Sequence, residues 1–541
     1  MKGSLFTTPL RDGPTLWTIL HDRGLYLADR RALVYPAPSG KTVELSHAQL
    51  SREVMRVARR LAECGVRPGD HVGMVIPNSL EFVIPFLSLV SMRAVACPLN
   101  PGLKKSQLDF FLNDMDVKQI LLPVGGAGEA RESAKGLGIA VFDVTLEYER
   151  ADFTPGRPCV ELRGAPGPRL MQLTLDTDDY VPRPADTCLF LHTSGTTGRP
   201  KGVPLSHANL ARSMHNIAET YALTPDDCVM IVMPLFHVHG LIGCLLSTLN
   251  SGGCSVVHPG RFSARQFWPT FLRHGCTWYS AVPTIQQTLL TCAKRDYTTS
   301  GNLRFIRSCS ASLAPATFRQ LEETFGVPVI EAYAMSEAAH QMTANFLPPG
   351  KRKPGAVGRG RGVELTIRSE KGEELPQGER GEVCVRGSNV MVGYYNNPEA
   401  NRKNFFPEKW FRTGDQGYLD EDGFLFLTGR LKEMINRGGE KISPVAIDAL
   451  LLEHPAVALA VTFGVPDSKY GEEVHAAIIL KPGAGDAEAL DQELRQFCLK
   501  HLPEFSIPKK FYFTDDVPRT ATGKVQRRIV SAHFAGPKSK L

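Results

Sequence analysis

The segment from Thr193 to Gly202 contains the residue types that most clearly suggest chemistry. It reads Thr-Ser-Gly-Thr-Thr-Gly-Arg-Pro-Lys-Gly, after an apolar run predicted to be a strand and before a helix that Ser206 could cap. Glycines let backbone N–H groups approach phosphate oxygens, and hydroxyls and a lysine add donors. The spacing of a Walker A loop is absent. These residue types indicate a polyphosphate-binding loop, although a loop of this composition is often only a connection.

Two histidines, His237 and His239, alternate along the chain and would share one face of a strand. Alternate histidines can bind a metal, but no third ligand of convincing spacing accompanies them. A zinc site is therefore disfavoured.

Short β-rich runs alternate with helical patterns between residues 185 and 335. Such alternation predicts a largely parallel sheet covered by helices. The last helix would begin at a proline and stop before Gly326, which are typical start and stop signals. The predicted strands are Cys188–Leu191, Val229–Met233, Ser255–Val257, Thr277–Tyr279 and Phe305–Ile306, and the predicted helices are Ser206–Tyr221, Ser263–His274, Thr284–Cys292 and Pro315–Phe325.

The pattern changes twice in the C-terminal third of the chain. Glycine-punctuated short strands predict a small β-rich subdomain at about 354–428, and mixed elements after Arg430 predict a compact α+β unit. A Pro/Gly-rich stretch, Thr154–Pro168, is predicted to be a surface connection. The predicted strands are Val363–Ile367, Gly381–Arg386, Phe424–Leu427, Val457–Phe463, Val474–Leu480 and Phe511–Thr514, and the predicted helices are Pro444–Glu453 and Ala487–Leu502.

The composition is that of an ordinary folded protein. The 541 residues suffice for several structural units, and 43% hydrophobic with 22% charged residues argue against disorder, collagen and coiled coil. A net charge of +6 over this length is too dilute for a nucleic-acid footprint, so nucleic acid is not an expected partner. The most apolar segment, Phe82–Met92, is too short to cross a bilayer, so no membrane span is expected.

Cysteine usage and the C-terminal residues bear on cellular location. Twelve cysteines lie between Cys64 and Cys498 without a C-x-x-C pair, which predicts free, mostly buried thiols in a reducing compartment. The chain closes with Ser539, Lys540 and Leu541, the tripeptide that the peroxisomal import receptor reads. A peroxisomal location is therefore expected, or a glycosomal one in a kinetoplastid host.

The loop at Thr193–Gly202 resembles the phosphate-binding signature of the adenylate-forming superfamily, which includes acyl-CoA synthetases, nonribosomal peptide adenylation domains and luciferases. Further motifs of that superfamily follow in the expected order and cover nearly the whole chain. They are Pro234–His237, Ser310–Leu313, Glu331–Glu337, Tyr394, Trp410–Asp415, Gly429–Glu433, Gly438–Pro444 and Thr522–Lys524. The chain is therefore identified as a member of this superfamily.

The resemblance implies an α/β fold in two parts. Residues 1–428 would form a large domain of helix-covered sheets that binds the nucleotide and the acid, and residues 429–541 a small mobile α+β lid. It also implies a two-step reaction. A carboxylate attacks the α-phosphate of Mg-ATP with loss of pyrophosphate, and the thiol of coenzyme A then attacks the acyl-adenylate. Mg²⁺ would be the cofactor, with ATP and coenzyme A as co-substrates.

The resemblance further assigns roles to individual residues. Lys524 would bridge the carboxylate and the α-phosphate, Glu337 would hold Mg²⁺, and Tyr333 would stack on adenine. Asp415, and more weakly Arg430, would bind the ribose hydroxyls. The other nucleotide-binding residues that the motifs imply are Thr193, Ser194, Gly195, Thr196, Thr197, Gly198, Lys201, Ser310, Ala311, Ser312, Glu331, Ala332 and Ser336.

Movement of the lid between the two steps is also implied. Lys432 matches the hinge position, and Gly438 with Gly439 would then lie at the pantetheine tunnel, where a thin arm needs close backbone approach. The superfamily places His237 in the acyl site, with a catalytic role there, which further disfavours the zinc interpretation.

The wall of the acid-binding pocket indicates a small polar substrate. Relatives for bulky aromatic acids commonly have glycines beside the tyrosine, where this chain has Ala332 and Ala334. His340 stands where those relatives tend to be apolar. A pocket of imidazole and hydroxyl groups suits a short, polar or doubly charged acid, because CH₂ groups would leave that rim unsatisfied. The predicted wall consists of His237, His239, Ser280, Ser310, Ala334 and His340.

These details resemble one 4-coumarate–CoA ligase-like subgroup, the oxalate–CoA ligases of plants and the related peroxisomal AMP-binding proteins of fungi. Oxalate is therefore the predicted acid. The alternatives are a 4-coumarate-like or medium-chain fatty acyl-CoA ligase, a luciferase-like oxygenase, and a catalytically silent nucleotide-binding peroxisomal partner. The silent partner is disfavoured because Lys524, Glu337 and Asp415 are all retained. An amino-acid adenylating enzyme ranks low because no acidic residue lies near Phe236. The sequence does not predict an oligomeric state.

Overall fold

The computed structural model describes residues 13–147, 160–164, 179–193, 200–297, 301–519 and 525–536. Several predicted functional residues lie outside the described residues, namely Ser194, Gly195, Thr196, Thr197, Gly198, Lys524, Ser539, Lys540 and Leu541. The elements below belong to the described part of the chain.

The strands, in chain order, are β1 (Arg31–Pro36), β2 (Thr42–Ser46), β3 (His71–Met74), β4 (Val95–Pro98), β5 (Gln119–Pro123), β6 (Ala140–Leu146), β7 (Val160–Arg163), β8 (Thr187–His192), β9 (Gly202–Ser206), β10 (Cys228–Ile231), β11 (Cys254–Val257), β12 (Trp278–Ala281), β13 (Phe305–Cys309), β14 (Val329–Met335), β15 (His340–Ala344), β16 (Arg359–Gly360), β17 (Glu364–Arg368), β18 (Gly381–Arg386), β19 (Phe405–Phe406), β20 (Trp410–Leu419), β21 (Leu425–Arg430), β22 (Ile435–Arg437), β23 (Glu440–Ile442), β24 (Val457–Asp467), β25 (Gly471–Leu480) and β26 (Lys510–Phe513).

The helices are α1 (Leu16–Tyr26), α2 (His47–Glu63), α3 (Leu80–Ser91), α4 (Lys105–Asp114), α5 (Gly128–Leu137), α6 (His207–Thr220), α7 (Val238–Gly240), α8 (Ser247–Asn250), α9 (Ala264–Arg273), α10 (Pro283–Asp296), α11 (Pro315–Phe325), α12 (Pro398–Asn404), α13 (Pro444–Leu451), α14 (Ala487–Leu499) and α15 (Arg527–Ala535). A π-helix, Leu241–Leu246, joins α7 to α8, and Ser336–Ala338 forms a 3₁₀ turn.

Two large sheets build the N-terminal part. One runs in the order β7-β6-β5-β3-β4-β8-β9 and the other in the order β16-β15-β14-β13-β12-β10-β11-β1-β2. Both are parallel in the middle and antiparallel at the edges. The apolar helix α3 is almost wholly buried within the largest core cluster, together with helices α2 and α6. The predicted helix-covered, largely parallel sheets are confirmed.

The parallel strands of the second sheet position the site. Strands β12, β13 and β14 are neighbours, so their carboxyl ends lie at one edge of the sheet. In open α/β sheets ligands bind beyond the carboxyl ends of the strands. Ser280, Ser310 and Ser336 all lie at or just past these strand ends.

Local signals set the bounds of α6 and α11 within one residue of those that the sequence predicts. Ser206 caps α6, and its hydroxyl accepts from the backbone N–H of Asn209 at 3.2 Å. Helix α11 begins at Pro315 and ends at Phe325, and Gly326 adopts φ 67°. Helix α10 runs on to Asp296, four residues beyond its predicted end.

The prediction of a surface connection over Thr154–Pro168 is wrong in part. Strand β7 lies within it and pairs antiparallel with β6. Val160 and Leu162 are buried there, because their side chains alternate toward the core. Prolines and glycines on both sides obscured this short alternation.

Two smaller sheets follow. The first contains β17, β18, β20, β19 and β21 and is antiparallel, in agreement with the predicted β-rich subdomain. The second contains β23, β22, β25, β24 and β26, with α13, α14 and α15 around it. Strand β21 ends at Arg430, so the predicted boundary between residues 428 and 429 falls inside it. The large N-terminal and small C-terminal parts agree with the predicted fold class.

The described cysteines are free, and all except Cys292 are buried. Burial raises the pKa of the Cys244 thiol to about 12, so this thiol stays protonated near neutral pH. Within the described ranges, no helix is both long and apolar enough to cross a membrane.

Candidate active site

A cavity opens at the carboxyl edge of the second sheet, between the N-terminal part and the C-terminal part. On the N-terminal side it is lined by Ser310–Leu313, Ala332–Ala334, Asp415 and Arg430. On the C-terminal side Val525 is one of the lining residues. Residues predicted to bind the nucleotide from three separate motifs therefore meet at one cavity.

Tyr333, Asp415 and Arg430 form one connected group in this cavity. The Tyr333 hydroxyl donates to Oδ2 of Asp415, and Nε of Arg430 lies 3.2 Å from Oδ1 of the same carboxylate. Burial, with the Asp415 charge beside it, raises the pKa of Tyr333, so the phenol stays protonated and donates. The carboxylate provides acceptors where the predicted ribose hydroxyls would lie.

A second group contains Glu337, Tyr394 and Lys201. The Tyr394 hydroxyl donates to Oε1 of Glu337 at 2.9 Å, and the Lys201 ammonium lies 4.5 Å from the centre of the Tyr394 ring. Burial raises the pKa of the Glu337 carboxyl and lowers that of Lys201. Bound Mg²⁺ would favour the charged form of the Glu337 carboxyl, and bound phosphates would favour the charged form of the Lys201 ammonium. A buried carboxylate next to a phosphate-binding loop fits Mg²⁺, which prefers such oxygens, so Glu337 would hold the ion.

The base of the predicted phosphate loop is closed by its two described ends. The backbone N–H of Thr193 donates to the Lys201 carbonyl at 3.0 Å, and the Lys201 N–H donates to Thr193 Oγ1 at 3.2 Å. Strands β8 and β9 therefore hold these ends together.

Glu331, predicted to bind the nucleotide, lies behind the cavity rather than on its wall. The backbone N–H of Leu313 donates to its Oε1 at 3.0 Å, and Oε2 has no hydrogen-bond partner among the residues described. Burial raises the pKa of Glu331 to about 8. The side chain therefore supports the lining segment Ser310–Leu313.

Four of the predicted acid-binding residues form one buried polar cluster. His239 Nε2 lies 2.6 Å from Ser280 Oγ, and His239 Nδ1 lies 3.0 Å from Ser310 Oγ. The rings of His239 and His340 stack with centroids 5.5 Å apart. Ser310 lines the cavity, whereas His239, Ser280 and His340 are almost fully buried beside it.

The other two predicted wall residues have different surroundings. Ala334 lines the cavity. Nδ1 of His237 accepts the backbone N–H of His239 at 3.2 Å, which caps α7. The part of the chain that the structure describes has no group of three His, Cys, Asp or Glu side chains arranged for a metal.

Ser310 and His340 share an unusual backbone conformation. Ser310 has φ 77° and His340 has φ 96°, in the region that residues other than glycine rarely adopt. Ser310 directly follows β13, and His340 is the first residue of β15. Strain of this kind is concentrated at functional sites, and here it belongs to the polar cluster beside the cavity.

Sequence reasoning missed Arg307, which joins this cluster from within β13. Its side chain is fully buried. Nη1 donates to Ser280 Oγ at 3.0 Å, and Nη2 donates to His340 Nε2 at 3.0 Å. The available signal was an arginine inside the apolar run Phe305–Cys309, where a buried strand disfavours charge.

A second missed residue is Gly243, in the π-helix Leu241–Leu246. A Cβ atom at this position would lie 2.4 Å from Nε2 of His340, which is too close for any real contact. π-helical turns are frequent at functional sites. Only glycine leaves His340 room at its observed position.

The predicted hinge and tunnel residues are not among the residues that line the cavity. Lys432 is exposed in the turn after β21. Gly438 and Gly439 form the exposed turn of the β22–β23 hairpin, with φ 60° and 97°. Gly-Gly is a favoured pair for a two-residue hairpin turn, since both positions need positive φ.

Sequence models of known families match most of the chain. Residues 24–395 match AMP-binding enzymes, and residues 446–524 match the AMP-binding enzyme C-terminal domain. The chain belongs to the AMP-binding enzyme family. The predicted relationship to adenylate-forming enzymes is thereby confirmed.

Individual members of the family are similar over nearly the whole length. An oxalate–CoA ligase of Arabidopsis thaliana is 48% identical over 527 residues, which are 97% of this chain and 99% of that protein. An oxalate–CoA ligase of Saccharomyces cerevisiae is 48% identical over 487 residues, or 87% of this chain and 89% of that protein. Among solved structures, ATP-bound MatB from Rhodopseudomonas palustris superposes with a TM-score of 0.83 at 29% identity, covering 96% of this chain and 99% of that one.

Proposed function

We propose that this AMP-binding enzyme is an ATP-dependent acid–thiol ligase that joins oxalate to coenzyme A. It would form oxalyl-adenylate with release of pyrophosphate, and then oxalyl-CoA with release of AMP. The buried cluster of His239, Ser280, Ser310 and His340 beside the cavity carries the proposal. The likeness to two oxalate–CoA ligases supports it.

The nucleotide half of the site supplies positioning for the first step. Tyr333 and Asp415 would orient adenine and ribose, and Lys201 would offset phosphate charge. When bound, Mg²⁺ would neutralise phosphate oxygens as the negatively charged acid approaches. Glu337, fixed by Tyr394, would hold that ion.

The C-terminal part would act in this first step through Lys524. Val525, the residue after Lys524, lines the cavity. A β-bridge between Arg519 and Val525 joins the two described ends of this segment, and Arg527 pairs with Asp448 at 2.7 Å. Lys524 would donate to the carboxylate and the α-phosphate, where negative charge is concentrated. The second step would need the lid to turn and bring Gly439 to the thiol's path.

The polar cluster selects the acid. A fatty or aromatic acid would bury CH₂ or ring carbons against imidazole and hydroxyl groups and leave their hydrogen bonds unmade, at a cost of about 1–3 kcal/mol for each group. Oxalate offers four carboxylate oxygens to the same donors. The 4-coumarate-like and medium-chain alternatives are therefore disfavoured.

The decisive experiment measures pyrophosphate release by the purified full chain. Oxalate, malonate, 4-coumarate and octanoate are compared as substrates, each with and without coenzyme A. We expect oxalate with coenzyme A to give the highest kcat/KM, because only short dianions fit the donor wall. Turnover of 4-coumarate or octanoate without turnover of oxalate would overturn the proposal.

We also propose a peroxisomal location. This proposal rests only on the C-terminal tripeptide Ser539-Lys540-Leu541, which the peroxisomal import receptor would bind. In a kinetoplastid host the corresponding organelle is the glycosome. Removal of Leu541 should shift a fluorescently tagged chain to the cytosol, and an unchanged distribution would contradict the proposal.

A further inference from the structure

Arg307 lies at the centre of the polar cluster, but it does not reach the cavity. It is fully buried, and its position in β13 is directly opposite Ser280 in β12. Its described partners are the Tyr221 hydroxyl at 2.7 Å, Ser280 Oγ at 3.0 Å, His340 Nε2 at 3.0 Å and Gln341 Oε1 at 3.3 Å. Every one of these groups is neutral or can be neutral.

The charge of Arg307 is therefore not balanced within its own contacts. Among the residues described, no carboxylate forms an ion pair with this guanidinium, whereas Arg304, three residues earlier, pairs with Asp227. A buried charge without a partner is costly unless something else compensates it. A negatively charged ligand in the neighbouring cavity would provide that compensation.

The guanidinium also fixes the direction of a hydrogen-bond chain. Arginine only donates, so Ser280 Oγ must accept from Nη1. Among the described residues, the other hydrogen-bond partner of Ser280 is His239 Nε2, so the serine proton points to that nitrogen. The proton of a neutral His239 then lies on Nδ1 and is donated to Ser310 Oγ. Ser310, which lines the cavity, keeps its own proton to donate there.

The same reasoning applies to His340. Its Nε2 accepts from Nη2 of Arg307, so a neutral ring holds its proton on Nδ1. Gln341 and Tyr221 hold the guanidinium on its other side, because the Tyr221 hydroxyl donates to Gln341 Oε1 at 2.7 Å. One buried cation thus sets the tautomers of two histidines.

We propose that Arg307 is the positioning residue that fixes the tautomers of the two histidines, leaves the Ser310 hydroxyl as a donor into the cavity and so selects a doubly charged acid. The selection of oxalate rests on the proposed function, whereas the tautomers do not. Arg307 acts through Ser280, His239 and His340 without touching the substrate. The positive charge of Arg307 attracts the second carboxylate of the acid. Its N–H donors fix the direction of the Ser310 hydroxyl that this carboxylate would meet.

The kinetic experiment compares oxalate with glycolate, which has the same carbon count and a single carboxylate. In the full chain, Arg307→Met should lower kcat/KM for oxalate about 100-fold, mainly through KM, and that for glycolate less than about 10-fold. Arg307→Lys keeps the positive charge but loses the planar, forked N–H donors of the guanidinium. Its kcat/KM for oxalate should therefore lie between those of the unaltered enzyme and Arg307→Met. The matched control is Arg304→Lys, which alters an ion-paired arginine three residues away and should leave the oxalate-to-glycolate ratio unchanged.

The spectroscopic experiment reads the tautomers directly. In the ¹⁵N-histidine-labelled full chain, with signals assigned by His239→Gln and His340→Gln, both rings should hold the proton on Nδ1. In Arg307→Lys or Arg307→Met that preference should weaken. A proton on Nε2 in the unaltered enzyme, or equal losses for oxalate and glycolate, would overturn the proposal even if Arg307→Met failed to fold. If the enzyme prefers another acid, the proposed function fails, but the tautomers still test the role of Arg307.

Discussion

At the scale of single residues, burial determines what each polar group can do. Tyr333 lines the cavity and Glu337 is buried against Tyr394, and both have raised pKa values because burial disfavours their charged forms. Ligand binding can change these pKa values, since the ligand brings negatively charged phosphates and a cation. Glu331 lies deeper, and its carboxyl holds one backbone N–H of the lining segment. It is therefore a structural acid whose protonation affects folding.

The raised pKa of Glu331 makes a prediction for the pH dependence of stability. Burial raises this pKa from 4.5 to about 8, so the folded chain keeps a proton that the unfolded chain loses between these values. Stability should therefore decrease as pH rises through this window. The glutamine side chain of Glu331→Gln is neutral at every pH. Between about pH 5 and pH 9, the free energy of unfolding of the original chain should therefore decrease by at least about 1 kcal/mol more than that of Glu331→Gln.

Denaturant unfolding of both chains at the two pH values checks this expectation. Glu421→Gln, at an exposed carboxylate, is the control and should follow the original chain. Parallel pH profiles for the original chain and Glu331→Gln would show that Glu331 does not retain its proton.

Residue-level prediction from the sequence succeeded where motif and strand end coincide. Ser310, Tyr333 and Asp415 were predicted to act together, and the fold brings them to one cavity. Arg307 was missed because its role depends on contacts with strands β12 and β15, which are distant from it in sequence. The register that sets Ser280 opposite Arg307 is a tertiary property. No local pattern in the sequence encodes it.

At the scale of elements, strands and helices were predictable where periodicity and end signals agree. Helix α11, with Pro315 at its start and Gly326 after its end, matches its predicted bounds. Strand β7 was not predicted, because four residues of alternation were outweighed by prolines and glycines nearby. The π-helix Leu241–Leu246 was not predicted either, since its apolar sequence is equally suited to an α-helix.

The π-helix makes a prediction through Gly243. Gly243→Ala would place a methyl group 2.4 Å from His340 Nε2, so the ring or the helix must move. We expect kcat/KM for oxalate to fall about 10–100-fold, since a displacement of about 1 Å can cost this much. Steady-state kinetics measures the effect.

Gly136→Ala, in helix α5, is the matched control. Its added methyl group would meet only Lys105 Nζ, at 3.8 Å. Alanine favours a helix over glycine by about 1 kcal/mol, so this variant should be slightly more stable and fully active. Full activity of Gly243→Ala would contradict the close packing of His340 against the π-helix.

At the scale of the whole molecule, the active cavity belongs to two parts of the chain at once. Tyr333 and Asp415 come from the N-terminal part, and Val525 comes from the C-terminal part. The Gly438-Gly439 hairpin turn is exposed and lies off the cavity wall. The sequence predicted both parts and their motifs, but the relative placement of the two parts depends on their packing.

This placement predicts that the two half-reactions can be separated at Gly439. Alanine there would be strained by φ 97°, at a cost on the order of 1–2 kcal/mol, and would thicken the turn. Oxalate-dependent ATP–pyrophosphate exchange should stay within about 2-fold, whereas the coenzyme A-dependent rate should fall about 10-fold.

Gly485→Ala provides the control for this separation. Gly485 has φ 101° and, like Gly439, has open space around its Cβ position. Gly485→Ala should lose as little stability as Gly439→Ala, and it should retain both the ATP–pyrophosphate exchange rate and the coenzyme A-dependent rate. If Gly439→Ala slowed both half-reactions equally, the hairpin turn would have no separate role in the second one.

The burial of the native thiols has a practical consequence for observing the lid. Maleimide dyes react with thiolates, and protonated thiols such as Cys244 offer few of these at neutral pH. Of the described cysteines, only Cys292 is partly exposed. A single cysteine introduced at the exposed Gly485, where a side chain should leave both rates intact, could therefore carry a fluorophore with little background labelling from these positions. A change in the dye's emission during turnover would then show the proposed movement of the C-terminal part.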